Sequence, residues 1–552
     1  MQLVELKAGD ANTVYVALIA VLNKNNVPLD KIIGICSDGA STMQGVYNGV
    51  CTRLARLIRN MRETKIAEIM AHDDNGRCAA SFHEARGVLV VHCVCHRLAL
   101  VLTDAIIGTK HIEKVIPESC INLLNSLYNY FARSPTKKKA MREYIASENV
   151  GFAQRQQRVQ EEKRRPAPTG PVVRNPVEEL EHLMDELEER HKLPRRIVLT
   201  RWLSSAEAVR VVLNSRRVYI NFFSNENNDL ADNILEQLED SAVIAWYACL
   251  QDVIPILTRM NILFQSSLPL PHLLYSRICS AKTTLINMVG TGPGRTALIP
   301  LNSITVNTSF GAYANKFLLD IRDGGAIHGT RLHEREILEL KKSWHKLYAH
   351  FLQQIDARFP PENMQYFKQM QVLDPSVVHG PLRRQLIGTD DISIVAGKLL
   401  HVFEVPLHGS GLASPEDIKN SFTLYRMSDA CADLWKETVK DSADAGHQGK
   451  PFDYSLIYPY YRALMQMPGL KPWALFALFV LVFPTGNAIS ERGFSAMGAA
   501  HSKLRSELSH AQVFAHLMIG FNGPSVHDFT AQLDIESRQP NWPLYIHPSN
   551  FN

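Results

Sequence analysis

What this chain lacks narrows its class before any motif is considered. The apolar run Ala474 to Phe483 is ten residues, half of the ~20 that a bilayer-spanning helix requires. Met1-Gln2-Leu3-Val4-Glu5 offers no basic start followed by an apolar stretch, so no secretory signal is read there. The nine cysteines are scattered and odd in number. They make no disulfide framework and point to a reducing compartment, cytosol or nucleus. Charge of one sign is scarce in excess: 59 Lys and Arg oppose 55 Asp and Glu, for a net +4. Only local runs can therefore speak about charged partners. No internal repeat of solenoid length is present.

What is there is ordinary for a globular chain. Its 552 residues are 46% hydrophobic and 21% charged, enough to bury a sizeable core. At about 100–200 residues per domain, roughly three or four structural units are expected. Residues 2–5 read as the tail of a strand. Asp10 to Leu22 carries Val14, Val16, Leu18, Ile19 and Leu22 in a helical rhythm, with Asp10 as N-cap. Lys31 to Cys36 reads as a short buried strand from its β-branched content. Ser37-Asp38-Gly39 turns the chain, and Gln44 to Met61 reads as a helix. Val88 to His92 is a second strand, and Cys93 to Ile107 a helix with Leu98, Val101, Leu102 and Ala105 inward. Strand, helix, strand, helix indicates an α/β unit with parallel strands.

Ser134-Pro135 is a strong helix start. Residues 133–165 then hold ten Lys or Arg against four Glu, and Glu178 to Glu189 contains seven acids. Between them lie the breakers Pro166 to Pro171 and Asn175-Pro176. Residues 145–196 read as a charged, largely solvated excursion with one short amphipathic helix on Leu180, Leu183 and Leu187. Helical periodicity dominates 203–470. Beyond Pro472 come a last apolar helix and then helices near 487–497 and 506–521.

Asp38 follows a buried strand and precedes a glycine. A carboxylate there points into the crevice where α/β sheets bind ligands. Two-metal phosphoryl transfer needs two or three such groups around ions about 3.5–4 Å apart, and the plain alternative is an Asp that shapes a turn or caps the next helix. Cys93, Cys95 and His96 lack the paired spacing of a structural zinc site, which favours packing and hydrogen bonding for Cys93 and His96. Arg201-Trp202 sets an aromatic beside a cation, as suits an unpaired base, or is a core tryptophan. Lys137, Lys138 and Lys139 could meet phosphate or direct nuclear import, or form a solvated face.

Four blocks carry a resemblance. Ser37-Asp38-Gly39-Ala40-Ser41-Thr42-Met43-Gln44-Gly45, Cys93-Val94-Cys95-His96-Arg97-Leu98-Ala99-Leu100, Thr200-Arg201-Trp202-Leu203-Ser204 and Asn487-Ala488-Ile489-Ser490-Glu491-Arg492-Gly493-Phe494-Ser495 occur in that order. Together they resemble the conserved blocks of the hAT superfamily of DNA transposases. The resemblance implies an α/β core, an incomplete ribonuclease-H-like fold, with a large all-α insertion and a helix-rich chain overall. It makes Asp38 and Glu491 the second and third members of an Asp-Asp-Glu triad that would hold Mg²⁺ or Mn²⁺. The first Asp is not found in 1–37, where Asp10 precedes a helix and Asp30 opens the strand to Asp38, and no BED-type zinc finger is visible.

The resemblance further implies these divisions: 1–135, the N-terminal part of the core; 136–200, a charged linker; 201–470, the helical insertion; 471–525, the C-terminal dimerisation region; and 526–552, a tail. Phe494, Leu504, Leu508, Phe514, Leu517 and Phe521 would then serve a homodimer, with burial inside one chain as the alternative. The expectation is a catalytically inactive, dimerising, nuclear protein that binds DNA and no membrane. The alternatives are a fragment of an active transposase, with the missing Asp and a zinc finger supplied upstream, or a scaffold for protein partners.

Overall fold

Asp10 begins the first helix as its side chain dictates: the carboxylate accepts the backbone N–H groups of Asn12 and Thr13 at 2.9 and 3.1 Å. This satisfies donors that a helix start leaves orphaned. The computed structural model describes residues 6–71, 88–108, 113–163, 191–195, 202–266, 268–290, 295–322, 331–380, 392–402, 413–447 and 452–486. In chain order the first elements are α1 (Ala11–Lys24), β1 (Gly34–Ser37), α2 (Ser41–Gln44), α3 (Val50–Ala71), β2 (Leu89–His92) and α4 (Val94–Ile107). Next come α5 (Glu118–Ala132), α6 (Pro135–Lys163), α7 (Trp202–Phe223), α8 (Asp229–Glu239), α9 (Ser241–Phe264), α10 (Pro271–Asn287), α11 (Ala312–Arg322), α12 (Glu334–Arg358) and α13 (Pro361–Met370). The last are α14 (Pro375–His379), α15 (Ile392–Val402), α16 (Pro415–Met427), α17 (Asp429–His447), α18 (Ile457–Leu464) and α19 (Lys471–Leu481). The chain is helix-rich.

The chain divides into two units. One comprises Met1–Val94, Phe264–His272 and Val372–Asn552; the other comprises Cys95–Leu263 and Leu273–Gln371. The stretch 201–470 is shared between them.

In the first unit β1 and β2 pair in parallel, Gly34 opposite Leu89 and Ser37 opposite His92. They are the strands found among the described residues. Leu29, Leu54 and Ile58 form a core against which Leu18, Ile19 and Leu22 of α1 pack, while Val16 faces outward at 57% exposure. The first strand is shorter than Lys31–Cys36 because Leu29–Lys31 makes a single 3-10 turn. Buried Arg62 on α3 takes the carbonyls of Asp30 and Ile32, at 3.0 and 2.6 Å. Burial lowers the pKa of that guanidinium to about 10, with Asp30 opposing. The helix expected from Gln44 starts at Val50, after the turn built by Gly45 and Gly49.

The C-terminal half of this unit is an aromatic core. Trp473 of α19 packs on Phe422 at 4.5 Å and on Tyr425 at 5.9 Å between ring centroids. The Tyr461 hydroxyl donates to the Leu373 carbonyl at 2.9 Å. Phe476, Ala477, Val480, Leu481 and Phe483 are fully buried. The apolar run at 474–483 is thus largely consumed inside the chain, each large side chain contributing about 1.5–3 kcal/mol by its removal from water. The helices expected near 487–497 and 506–521 lie outside the described residues.

The second unit is all-helical among the described residues. Its long helix α9, Ser241–Phe264, has the length and composition to cross a bilayer, and most of it is buried within the protein. Gln251, Asp252, Arg259 and Asn261 interrupt its apolar character, which is why no comparable run stood out in the sequence. Leu98, Val101, Leu102 and Ala105 of α4 are all buried, as the helical rhythm required. The charged stretch after residue 145 differs from expectation. Helix α6 continues to Lys163, because Gln, Arg, Glu and Lys are good helix formers and no proline intervenes before Pro166. The chain is pinned again at His191, whose backbone pairs with the Asn149 amide at 2.8 and 3.1 Å. The short helix expected on Leu180, Leu183 and Leu187 lies outside the described residues.

Candidate active-site crevice at the end of the parallel strands

The two parallel strands end at Ser37 and His92, so Asp38 emerges at the carboxyl edge of the sheet. Its Oδ1 accepts the Ala40 backbone N–H at 3.2 Å, closing the turn one residue short of α2. Ala40 itself is the N-cap of that helix and caps without a side chain. Asp38 therefore performs the turn role that its residue type favours, and it remains partly open to solvent.

Below Asp38, Ser37 is the hub of a small polar network. Its Oγ accepts the Gln44 side-chain amide at 2.7 Å and the Cys51 thiol at 3.3 Å, and donates to the Asp38 carbonyl at 3.0 Å. Burial pushes the Cys51 thiol up; the bond to Ser37 opposes this and the Asp38 charge adds to it. A thiol held protonated in this way is a packing group rather than a nucleophile. Gly39 lies against the imidazole of His92: a Cβ there would stand 2.6 Å from His92 Cε1. The glycine of the Asp-Gly pair thus leaves room for a neighbouring ring. Gly45 and Gly49 approach so closely that a Cβ on Gly49 would lie 2.4 Å from the Gly45 nitrogen.

The far end of the described chain returns to this place. The Cys93 backbone N–H donates to the Ser37 carbonyl at 2.8 Å, and the Val94 N–H to the Thr485 carbonyl at 3.0 Å. Phe483 covers β1, where a Cβ on Gly34 would meet its ring at 2.5 Å. Residues 483–486 therefore run along β1 from Gly34, where Phe483 packs, to the carboxyl end, where Thr485 meets Val94.

No family model matches this chain, and no curated protein matches it.

The remaining candidates fall as follows. Cys93 is fully buried, and His96 is half-buried on α4. Cys95 takes the structural role most visibly, with Asn261 donating to its carbonyl at 3.1 Å and its thiol facing the Asn261 carbonyl at 3.6 Å. Among the described residues no three His, Cys, Asp or Glu side chains converge as a metal site would require. Lys137 is turned onto the protein, 3.8 Å above the Tyr130 ring and 3.7 Å from Glu226. Lys139 pairs loosely with Glu143 at 3.9 Å, and Lys138 is half-buried. Trp202 opens α7; its side chain lies outside the described structure, as do Arg201, Glu491, Phe494, Leu504, Leu508, Phe514, Leu517 and Phe521.

Sequence reasoning missed the Ser37, Gln44 and Cys51 network and the position of His92. The signal was available only in part: Gln44 lies seven residues after Ser37, but on a different element beyond a turn, so the periodicity of neither element brings them together.

Proposed function

We propose that this chain is a self-associating, DNA-binding protein derived from a hAT-type transposase, and that it does not by itself cleave or join DNA. The observation that carries the reading is the return of Thr485 to the carboxyl end of β1 and β2, where it accepts the Val94 N–H. The resemblance requires Asp38 and Glu491, at opposite ends of the sequence, to share one crevice. Glu491 lies outside the described residues. Six residues of chain reach at most about 20 Å, and the docking of Thr485 supports the approach that the resemblance implies.

The inactivity rests on the resemblance, whose triad finds Asp38 and Glu491 in this sequence but no first Asp in 1–37. The Oδ1 of Asp38 is also committed to the turn. The described residues do not make up the donor set, and no chemical step is assigned to it.

The test is direct. The purified full chain is incubated with end-labelled duplex DNA and either Mg²⁺ or Mn²⁺. No cleavage or strand-transfer product is expected, and a product that disappears in Asp38→Asn would overturn the assignment. Light scattering is expected to return the mass of a dimer. A monomer at micromolar concentration removes the self-association half of the proposal.

A further inference from the structure

Beside the crevice, the turn between α2 and α3 places two apolar side chains in water. Val46 is 80% and Tyr47 82% exposed, the most exposed large hydrophobic side chains among the described residues. An aromatic and an aliphatic residue side by side at a loop tip offer a partner apolar surface.

The loop is held stiffly. The Gly49 N–H donates to the Gly45 carbonyl at 2.9 Å, and Thr52 Oγ1 donates to the same carbonyl at 2.9 Å. Arg53 Nε donates to the Asn48 carbonyl at 3.1 Å and Arg56 Nη2 to the Tyr47 carbonyl at 3.4 Å. Arg53 is braced in turn by Asn12 Oδ1 at 2.8 Å and by the Tyr15 ring at 5.9 Å. Tyr47 is therefore presented on a framed turn, which lowers the entropy lost when it is covered.

Along the chain that follows Asp38 the charge has one sign. From Gly39 to Arg62 the chain contains Arg53, Arg56, Arg59 and Arg62 and no acid. Spacing of three places the first three along one side of α3. Arg56 and Arg59 are exposed and Arg53 half-exposed, while Arg62 turns inward to the Asp30 and Ile32 carbonyls. An aromatic tip ahead of a row of guanidinium groups fits a chain that alternates flat faces with negative charge.

We propose that the Gly45–Gly49 turn and the Arg56 and Arg59 side of α3 form a binding surface for single-stranded nucleic acid, with Tyr47 stacking on an unpaired base and the arginines on its phosphates. The surface deepens the DNA-binding reading and rests on it for the class of partner. The geometry is its own.

The experiment measures anisotropy of labelled oligo(dT) with the full-length chain across salt concentrations. Tyr47→Ala is expected to weaken binding about tenfold, within the range of one stacked base, and Tyr47→Phe to restore it. Arg59→Ala is expected to reduce the slope of log affinity against log salt by about 0.7, one phosphate contact. Both residues are exposed, so unchanged thermal melting marks the variants as folded. A chain that binds oligo(dT) equally well with Tyr47→Ala and Arg59→Ala overturns this surface and leaves the DNA-binding reading standing. A wild-type chain that binds no nucleic acid at low salt overturns both. Displacement by polyglutamate without any effect of Tyr47→Ala would make the arginine row an acidic-protein site instead and overturn the proposal.

Discussion

The Val94 backbone N–H donates to the Thr485 carbonyl at 3.0 Å, one residue after Cys93 has donated to the Ser37 carbonyl at 2.8 Å. Two adjacent peptide groups thus tie the end of β1, the start of α4 and a segment from the far end of the sequence into one corner. Asp38, the residue after β1, stands at that corner.

The packing of Phe483 on Gly34 is one support of this corner. Gly34→Ala is expected to cost about 1–3 kcal/mol by overpacking against the ring, and Phe483→Ala about 3–5 kcal/mol by leaving a cavity. The double variant should cost clearly less than the sum, because the shortened side chain makes room for the new methyl group. Denaturant unfolding of the four proteins checks this. Strict additivity would show that the two residues are not in contact.

Glycine substitutions along the crevice should separate by what they meet. Gly49→Ala drives a methyl group into the Gly45 backbone, whereas Gly39→Ala meets the His92 ring. A side chain can rotate away and a backbone turn cannot, so Gly49→Ala is expected to destabilise by at least about 1 kcal/mol more. Equal melting temperatures for the two variants would contradict that order.

Asp252 gives a pH dependence whose sign can be worked out. Its carboxylate accepts the Tyr313 and Ala314 N–H groups at 3.0 and 2.9 Å at the start of α11. Burial nevertheless raises its pKa to about 6, against the opposing backbone bonds. The folded state then holds a proton that the unfolded chain releases near pH 4. This contribution is fully present below about pH 4 and is lost as pH rises through about 6, with a slope of roughly 1.4 kcal/mol per pH unit between the two. Asp252→Asn should remove that slope from the stability curve. A wild-type minus variant difference that stays flat between pH 4 and 7 would refute it.

In the second unit Asp104, 6% exposed, is paired with Arg358, and Arg97 donates to the Arg358 carbonyl while lying over the Phe359 ring at 5.5 Å. Asp104→Ala leaves a largely buried guanidinium without its counter-ion and should cost about 3–5 kcal/mol. Replacing both partners by apolar residues should cost much less. Chemical denaturation distinguishes the cases, and a loss below about 1 kcal/mol for Asp104→Ala would show that water already serves Arg358.

Much of the local structure was legible. The cap at Asp10, the inward face of α4, the proline start of α6 and the second strand follow from residue type and spacing, because they depend on neighbours a few positions away. The delayed start of α3 and the shortened β1 were not legible. The first depends on Gly45 meeting Gly49 and the second on Arg62 reaching back to Asp30 and Ile32. Asp38 could be singled out in the sequence, whereas Tyr47 could not, since exposure is a property of everything packed around a loop.

By itself the sequence determined a helix-rich chain with a strand, helix, strand start, and a carboxylate at the end of the first strand, since periodicity and capping are encoded within a few turns of the backbone. Only the tertiary structure decided that residues 483–486 lie along β1 and bring Thr485 to that strand end, that the apolar run at 474–483 is spent on an internal aromatic core, and that Val46 and Tyr47 stay in water. Those outcomes depend on which surfaces meet after the chain has closed loops of hundreds of residues, and loop closure costs an entropy that grows too slowly with length to leave any mark in local pattern.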